Sequence, residues 1–231
     1  MPARSYSTST TGESSPSFVY VVDDDESMRY SLCNLLNSVG LRVEAFESSQ
    51  EFLAFPKRDV PSCLILDVRL RGESGLTFQQ ELLQSGLNIP ILFMTGFGNM
   101  EMSVKAMKAG AVDFLAKPFR QQDMLDAVAQ ALAKDSKRIA ADHSTTALRV
   151  AYGSLTLREQ QVMALVVAGL LNKQIASELN VSEITVKVHR ARAMKKMTAH
   201  SLADLIHKAN ALGINSRSRS PESQGRPKAN V

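Results

Sequence analysis

The sequence predicts an α/β, doubly wound, five-stranded parallel sheet followed by a second, all-α unit of four helices. Three observations predict it. Five short apolar runs, FVYVV (18–22), LRVEAF (41–46), SCLIL (62–66), IPILFM (89–94) and VDFLA (112–116), alternate with stretches of helical periodicity. The runs are nearly continuous in apolar residues, as strands covered on both faces are. Beyond residue 150 no such run recurs, and only helical patterns remain.

The elements follow in order. Residues 1–17 are rich in Ser, Thr and Pro and lack periodicity, which reads as a disordered tail. Residues 18–133 hold the five strands, bounded by Gly, Pro or Asp, with helices at Glu26–Ser38, near Ser48–Phe55, at Leu76–Ser85, Asn99–Ala109 and Gln121–Ala133. Residues 134–150 gain small and polar residues and read as a linker, with an extension of the fifth helix left open. Residues 151–212 carry helices Leu157–Ala168, Lys173–Leu179, Glu183–Met197 and Leu202–Leu212, with Ser182 and Ser201 placed as N-caps. Residues 213–231 again read as disordered, and basic.

Composition narrows the function classes. A chain of 231 residues with 44% hydrophobic and 22% charged residues is one large or two modest folded domains. No apolar run approaches the roughly 20 residues of a membrane span. The N-terminus lacks the apolar stretch of a secretory signal. Cys33 and Cys63 sit in apolar surroundings and read as reduced core residues rather than a disulfide. A soluble, cytoplasmic protein without a membrane partner is expected. The net charge of +4 conceals a division: residues 18–133 carry 10 Lys/Arg against 15 Asp/Glu, and residues 150–212 carry 8 against 4. A basic second half points to a nucleic-acid partner.

In a parallel sheet, functional groups gather at the carboxyl edge of the strands. With strand order 2-1-3-4-5, that edge collects Asp23-Asp24-Asp25 after strand one and Asp67 after strand three. Thr95-Gly96 follows strand four, and Lys117-Pro118 follows strand five. Crowded carboxylates require a cation, and an all-oxygen set suits Mg²⁺. Lys117 can pair with a phosphoryl oxygen, Thr95 can donate to the same anion, and a carboxylate can attack phosphorus. Each group has a plainer use: Asp25 and Glu26 suit a helix N-terminus, and the others suit turns.

The stretches VVDDDESMR, LILDVRL, FMTGFG and DFLAKPF resemble the signatures of response-regulator receiver domains over roughly 18–133. The resemblance implies a flavodoxin-like fold with Asp67 as phosphoacceptor. It implies that Asp23, Asp24, Asp67 and the backbone carbonyl of Arg69 hold Mg²⁺. Thr95 takes the place of the switch hydroxyl, Lys117 of the phosphate-pairing lysine, and Phe114 of the switch aromatic. Lacking a hydroxyl, Phe114 can report only by burial.

On a helical wheel of about 100° per residue, Val186, His189, Ala193 and Met197 share a packing face. Lys187, Val188, Ala191, Arg192 and Lys195 fall opposite, a cationic outer face suited to the major groove. The stretch LTLREQQVMALVVAGLLNKQIASELNVSEITVKVHRARAMKKM, followed by SLADLI, resembles the LuxR-type helix-turn-helix of FixJ/NarL response regulators. That resemblance places Lys187 and Val188 towards bases and Lys173, Arg190, Arg192 and Lys195 towards phosphates. Leu171 departs from the usual Ser or Thr, which suggests Asn172 as the cap. Leu202, Leu205, Ile206 and Ala209 form a stripe open to core packing or to dimerisation.

The combined expectation is a transcription factor, not a metabolic enzyme, switched when a sensor histidine kinase phosphorylates Asp67. Its expected partners are promoter DNA, a second copy on phosphorylation, and RNA polymerase. Two other readings stand beside it. One is an aspartate-nucleophile phosphatase using the Asp23/Asp25 pair. The other is a receiver-like adaptor whose helical half binds only protein.

Overall fold

In this computed structural model residues 17–96 and 100–214 are described. The tails expected at 1–17 and 213–231 lie almost wholly outside the described residues, as does Asn99, the expected start of the fourth helix. The chain divides into two compact units between Ala140 and Ala141.

In the first unit, β1 (Phe18–Val22), β2 (Arg42–Phe46), β3 (Ser62–Asp67), β6 (Ile91–Thr95) and β7 (Asp113–Ala116) form one sheet. The order is β2-β1-β3-β6-β7 and every pairing is parallel. This is the expected 2-1-3-4-5 order once β4 (Arg69–Leu70) and β5 (Glu73–Ser74) are set aside. Those two form a small antiparallel hairpin, too short for alternation to register in the sequence. Between the strands run α1 (Glu26–Ser38), α2 (Ser49–Ala54), α3 (Gly75–Gln84) and α4 (Met100–Lys108).

Period-two alternation sends successive strand residues to opposite faces. Tyr20, Val22, Leu64, Leu66 and Phe93 enter one core, while Val19, Val21, Cys63, Ile65 and Met94 enter the other. On the first face Tyr20 and Phe46 both meet Phe52 edge-on, with ring centroids 5.5 and 5.6 Å apart. Both cysteines are free thiols, Cys63 buried and Cys33 half-buried. Burial pushes each thiol pKa up and so disfavours the thiolate.

Helix α5 spans Gln121–Gly153. Residues 134–150, read as a linker, are therefore helical throughout. The physical reason lies in the segment itself: it is rich in Ala and holds neither Gly nor Pro before Gly153, so nothing interrupts propagation. Asp135, in that stretch, is only 1% exposed and accepts hydrogen bonds from the Ser62 N–H and from Arg138 Nε, each at 2.8 Å.

The second unit contains α6 (Leu157–Val167), α7 (Asn172–Leu179), α8 (Glu183–Lys196) and α9 (Leu202–Ala211) around Val162, Met163, Val166, Ile175, Val186 and Leu205. Ser182 and Ser201 cap α8 and α9 by accepting the Thr185 and Asp204 N–H groups, both at 3.1 Å. Thr156 and Glu159 form a reciprocal capping box on α6. Asn172 is not the cap of α7. It is the first helical residue, its side-chain oxygen accepts from Arg190 at 3.1 Å, and the Leu171 N–H is taken by Gln174. The stripe on α9 divides: Leu205 and Ala209 are buried in the core, whereas Leu202 is 41% exposed.

Candidate functional site

The carboxyl edge of the sheet brings the predicted acidic groups together. Asp23 follows β1 and Asp67 ends β3; both are buried, and Asp24 is partly exposed. One carboxylate oxygen from each of Asp23, Asp24 and Asp67 lies within 4.8 Å of the other two. Lys117, one residue beyond β7, reaches in: its Nζ donates to Asp23 Oδ2 at 2.7 Å and to Asp67 Oδ2 at 2.6 Å. The Lys117–Pro118 peptide is cis. The remaining oxygens are also engaged, Asp23 Oδ1 by the Asp25 N–H at 2.8 Å and Asp67 Oδ1 by the Arg69 N–H at 2.9 Å.

Electrostatics follow from that crowding. Burial is the largest influence on Asp23 and holds its carboxyl above the ordinary aspartate pKa, with the Asp67 charge acting the same way and Lys117 and the Asp25 N–H opposing. Burial also works against the Lys117 ammonium, but its hydrogen bonds to Asp23 and Asp67 outweigh it and leave the lysine above its ordinary value. A desolvated aspartate with a raised pKa beside two further carboxylates is a site that gains from a divalent cation. The all-oxygen donor set fits Mg²⁺.

Asp25 stands apart. Its Oδ1 accepts the Ser27 and Met28 N–H groups and caps α1, so the Asp23/Asp25 pair required of a phosphatase nucleophile is divided between pocket and helix cap. Thr95 ends β6 and is 1% exposed, and its carbonyl accepts the Lys117 N–H at 2.7 Å. Phe114 is half-buried on β7, its ring centroid 6.4 Å from that of Phe93. Arg69 is exposed at the start of the hairpin.

Three residues at this edge escaped the sequence reading. Arg29 on α1 donates from Nη1 to the Asp23 carbonyl at 2.7 Å. Arg71, in the hairpin turn, lies 3.3 Å from Asp24 and 3.8 Å from Glu47. Gly75 opens α3 so close to the end of β3 that a Cβ there would meet the Asp67 carbonyl oxygen at 2.3 Å. The Ser-Gly pair at a helix start was the signal available for Gly75; neither an arginine on an exposed helix turn nor one in a loop carries any.

In the second unit α8 presents the expected two faces. Val186, Ala193 and Met197 are buried, while Lys187, Val188, Ala191, Arg192 and Lys195 are exposed. Lys173 is exposed near the start of α7. Lys187 pairs loosely with Glu183 at 3.7 Å. Arg190 is half-buried and tied to Asn172, so of the predicted cations it is the one held by the fold itself.

Comparison with known proteins meets this geometry at both ends. Residues 19–129 match the response regulator receiver domain family, and residues 153–209 match the family of bacterial regulatory proteins, luxR family. The chain belongs to the response regulators. It is 54% identical over 204 residues to nodulation protein W of Bradyrhizobium diazoefficiens, covering 88% of this chain and 90% of that one. It is 46% identical over 190 residues to the response regulator protein TmoT of Ectopseudomonas mendocina (82% and 86% covered). Over 200 residues it is 42% identical to the transcriptional regulatory protein FixJ of Bradyrhizobium diazoefficiens (85% and 96% covered). Among solved structures, that of the response regulator StyR superposes with a TM-score of 0.77 at 45% identity, covering 85% of this chain and 99% of that one. Full-length FixJ from B. japonicum superposes with 0.52 at 38% identity (85% and 97% covered). This response regulator thus joins a receiver to a LuxR-type DNA-binding domain and functions in phosphorylation-dependent transcriptional control. Neither domain belongs to a metabolic enzyme family. Among the described residues no helix is long and apolar enough to cross a membrane.

Proposed function

We propose that Asp67 is the phosphoacceptor and that Asp23, Asp24, Asp67 and the Arg69 carbonyl hold Mg²⁺. The observation that carries this reading is the convergence of three carboxylate oxygens within 4.8 Å, with Lys117 bridging Asp23 and Asp67. A carboxylate oxygen of Asp67 attacks the phosphorus of a phosphohistidine on the sensor kinase. The P–O bond forms as the P–N bond breaks, and the imidazole leaves. Held by Asp23, Asp24, Asp67 and the Arg69 carbonyl, Mg²⁺ would supply charge neutralisation to the phosphoryl group. Lys117 then pairs with a phosphoryl oxygen, and the Thr95 hydroxyl donates to another. The inward movement of Thr95 leaves space into which Phe114 buries, a two-state change that favours dimerisation.

The dimer binds promoter DNA in the cytoplasm. Lys187 and Val188 face bases, Lys173, Arg190, Arg192 and Lys195 lie along phosphates, and RNA polymerase is engaged there. The names of relatives, transcriptional regulatory protein FixJ among them, support this reading. The receiver spans 18–133 by this account, and the DNA-binding domain 151–212.

The test combines acyl-phosphate labelling with genome-wide footprinting of the wild type and Asp67→Asn. Label and phosphorylation-dependent footprints should both disappear in the variant. Label retained by Asp67→Asn but lost in Asp23→Asn overturns the assignment. Salt-insensitive or absent binding to DNA, even with fluoroberyllate bound, supports a protein-only adaptor instead.

A further inference from the structure

The exposed face of α8 is not uniformly cationic. Ile184 is 74% exposed and Val188 43% exposed, and Ala191 is exposed with them. At about 100° per residue these three lie within roughly 60° of one another, at the centre of the face opposite Val186, Ala193 and Met197. Lys187 and Arg192 stand on its two sides, and Lys195 continues it one turn further on. A solvated helix face has no use for a β-branched apolar strip at its centre, since the packing side already supplies the core contacts.

The pattern suits one occupant. Arg192 on one side matches a phosphate backbone that borders a major groove, Lys187 on the other reaches the edge of the groove floor, and the strip between them meets that floor. The floor displays hydrogen-bonding edges and one apolar group, the thymine C5-methyl. A face reading guanine or adenine edges would carry Arg, Lys, Asn or Gln at its centre, and in the N-terminal half of α8 that centre holds Ile184 and Val188 instead, with Lys195 on the same line only in the last turn. Here Ile184 and Val188 occupy successive turns, and Ala191 is short enough to let the helix approach.

Resting on the proposed DNA-binding role, we infer that Ile184 is a specificity-determining residue and that with Val188 it reads thymine methyl groups. The operator half-site then contains thymines at the positions under the N-terminal half of α8. The phosphate-facing cations Arg192 and Lys195 set affinity without discriminating among sequences, while Ile184 sets preference without adding to salt dependence.

The test uses the full chain activated with Mg²⁺ and fluoroberyllate. Duplexes are first selected from a random-sequence pool. Each thymine of the selected site is then replaced by deoxyuridine, which removes the methyl and leaves every hydrogen-bonding group. At the thymine under Ile184 the wild type should lose about fourfold in affinity, the worth of one buried methyl. Ile184→Ala should bind thymine and uracil duplexes equally at that position, with an unchanged salt slope. Ile184→Thr, which keeps one methyl branch, should show an intermediate preference. The exposure of Ile184 makes loss of folding an unsuitable explanation, and unchanged thermal midpoints of the variants check that. Selected duplexes bound tightly but indifferent to deoxyuridine at every position overturn this inference and leave the DNA-binding role standing. Failure to select any duplex, with no salt-dependent binding, overturns both.

Discussion

The Asp135 carboxylate accepts the backbone N–H of Ser62 at 2.8 Å, joining the middle of α5 to the first residue of β3 across 73 residues of sequence. Asp135 is 1% exposed and shares its other oxygen with Arg138. Asp135→Ala leaves the buried Ser62 N–H without an acceptor and should cost about 1–3 kcal/mol in urea unfolding of the full chain. Asp135→Asn keeps a carbonyl for Ser62 and should recover part of that loss. An Ala variant as stable as the wild type rules out the clamp.

Lys117 is the counter-ion of two buried carboxylates, its side chain 16% exposed. Lys117→Met leaves Asp23 and Asp67 facing each other uncompensated and should destabilise the receiver by about 2 kcal/mol without divalent cations. Mg²⁺ replaces the missing charge. Its stabilising effect in thermal unfolding should therefore be larger for the variant than for the wild type. An equal Mg²⁺ effect in both proteins counts against a shared electrostatic site.

Gly75 and Gly153 make a matched pair. A Cβ at Gly75 meets the Asp67 carbonyl at 2.3 Å and Val68 Cα at 3.2 Å, both backbone, whereas one at Gly153 meets nothing within 4 Å. Gly75→Ala should cost about 1–3 kcal/mol and displace the end of β3, slowing phosphorylation of Asp67. Gly153→Ala, at the end of a helix, should be neutral or stabilising by up to about 1 kcal/mol. Denaturant midpoints and labelling rates measure both.

The Glu159 carboxylate accepts the Lys196 ammonium at 2.6 Å and the Thr156 N–H at 2.8 Å. Lys196 first, and Thr156 after it, hold the Glu159 pKa down to about 2, against an ordinary value of 4.5. A folded-state pKa below the unfolded one gives stability that is complete above the ordinary value and lost as pH falls. Amide protection in the second unit, taken relative to the intrinsic exchange rate at each pH, should therefore fall between pH 4.5 and about 2. Glu159→Gln should be less protected at neutral pH and show a shallower slope across that window.

Local signals carried most of this protein. Alternating apolar runs set the strands, and side-chain oxygens before α8 and α9 set their caps, because both depend on neighbours a few residues apart. The pocket was legible for the same reason: a parallel sheet delivers residues just past its strands to one edge, so Asp23, Asp67, Thr95 and Lys117 could be gathered from strand ends alone. At 134–150 composition marked the stretch in which the two units divide but left its conformation open, and α5 runs through it unbroken.

Long-range partners were another matter. Nothing near Asp135 in the chain announces Ser62, nor does the loop around Arg71 announce Asp24 and Glu47, because those contacts exist only once distant elements pack. The wheel of α8 divided its faces correctly yet passed over Ile184. An isoleucine counts as core until tertiary structure shows that the core is filled without it, and here 74% of it faces outward. By itself the sequence determined the class and which residues stand at the strand ends, both consequences of period, while the 2-1-3-4-5 order came with the resemblance to receiver domains. Tertiary structure alone decided which charges meet and which apolar side chains remain exposed, since burial is a property of packed surfaces and not of neighbours in the chain.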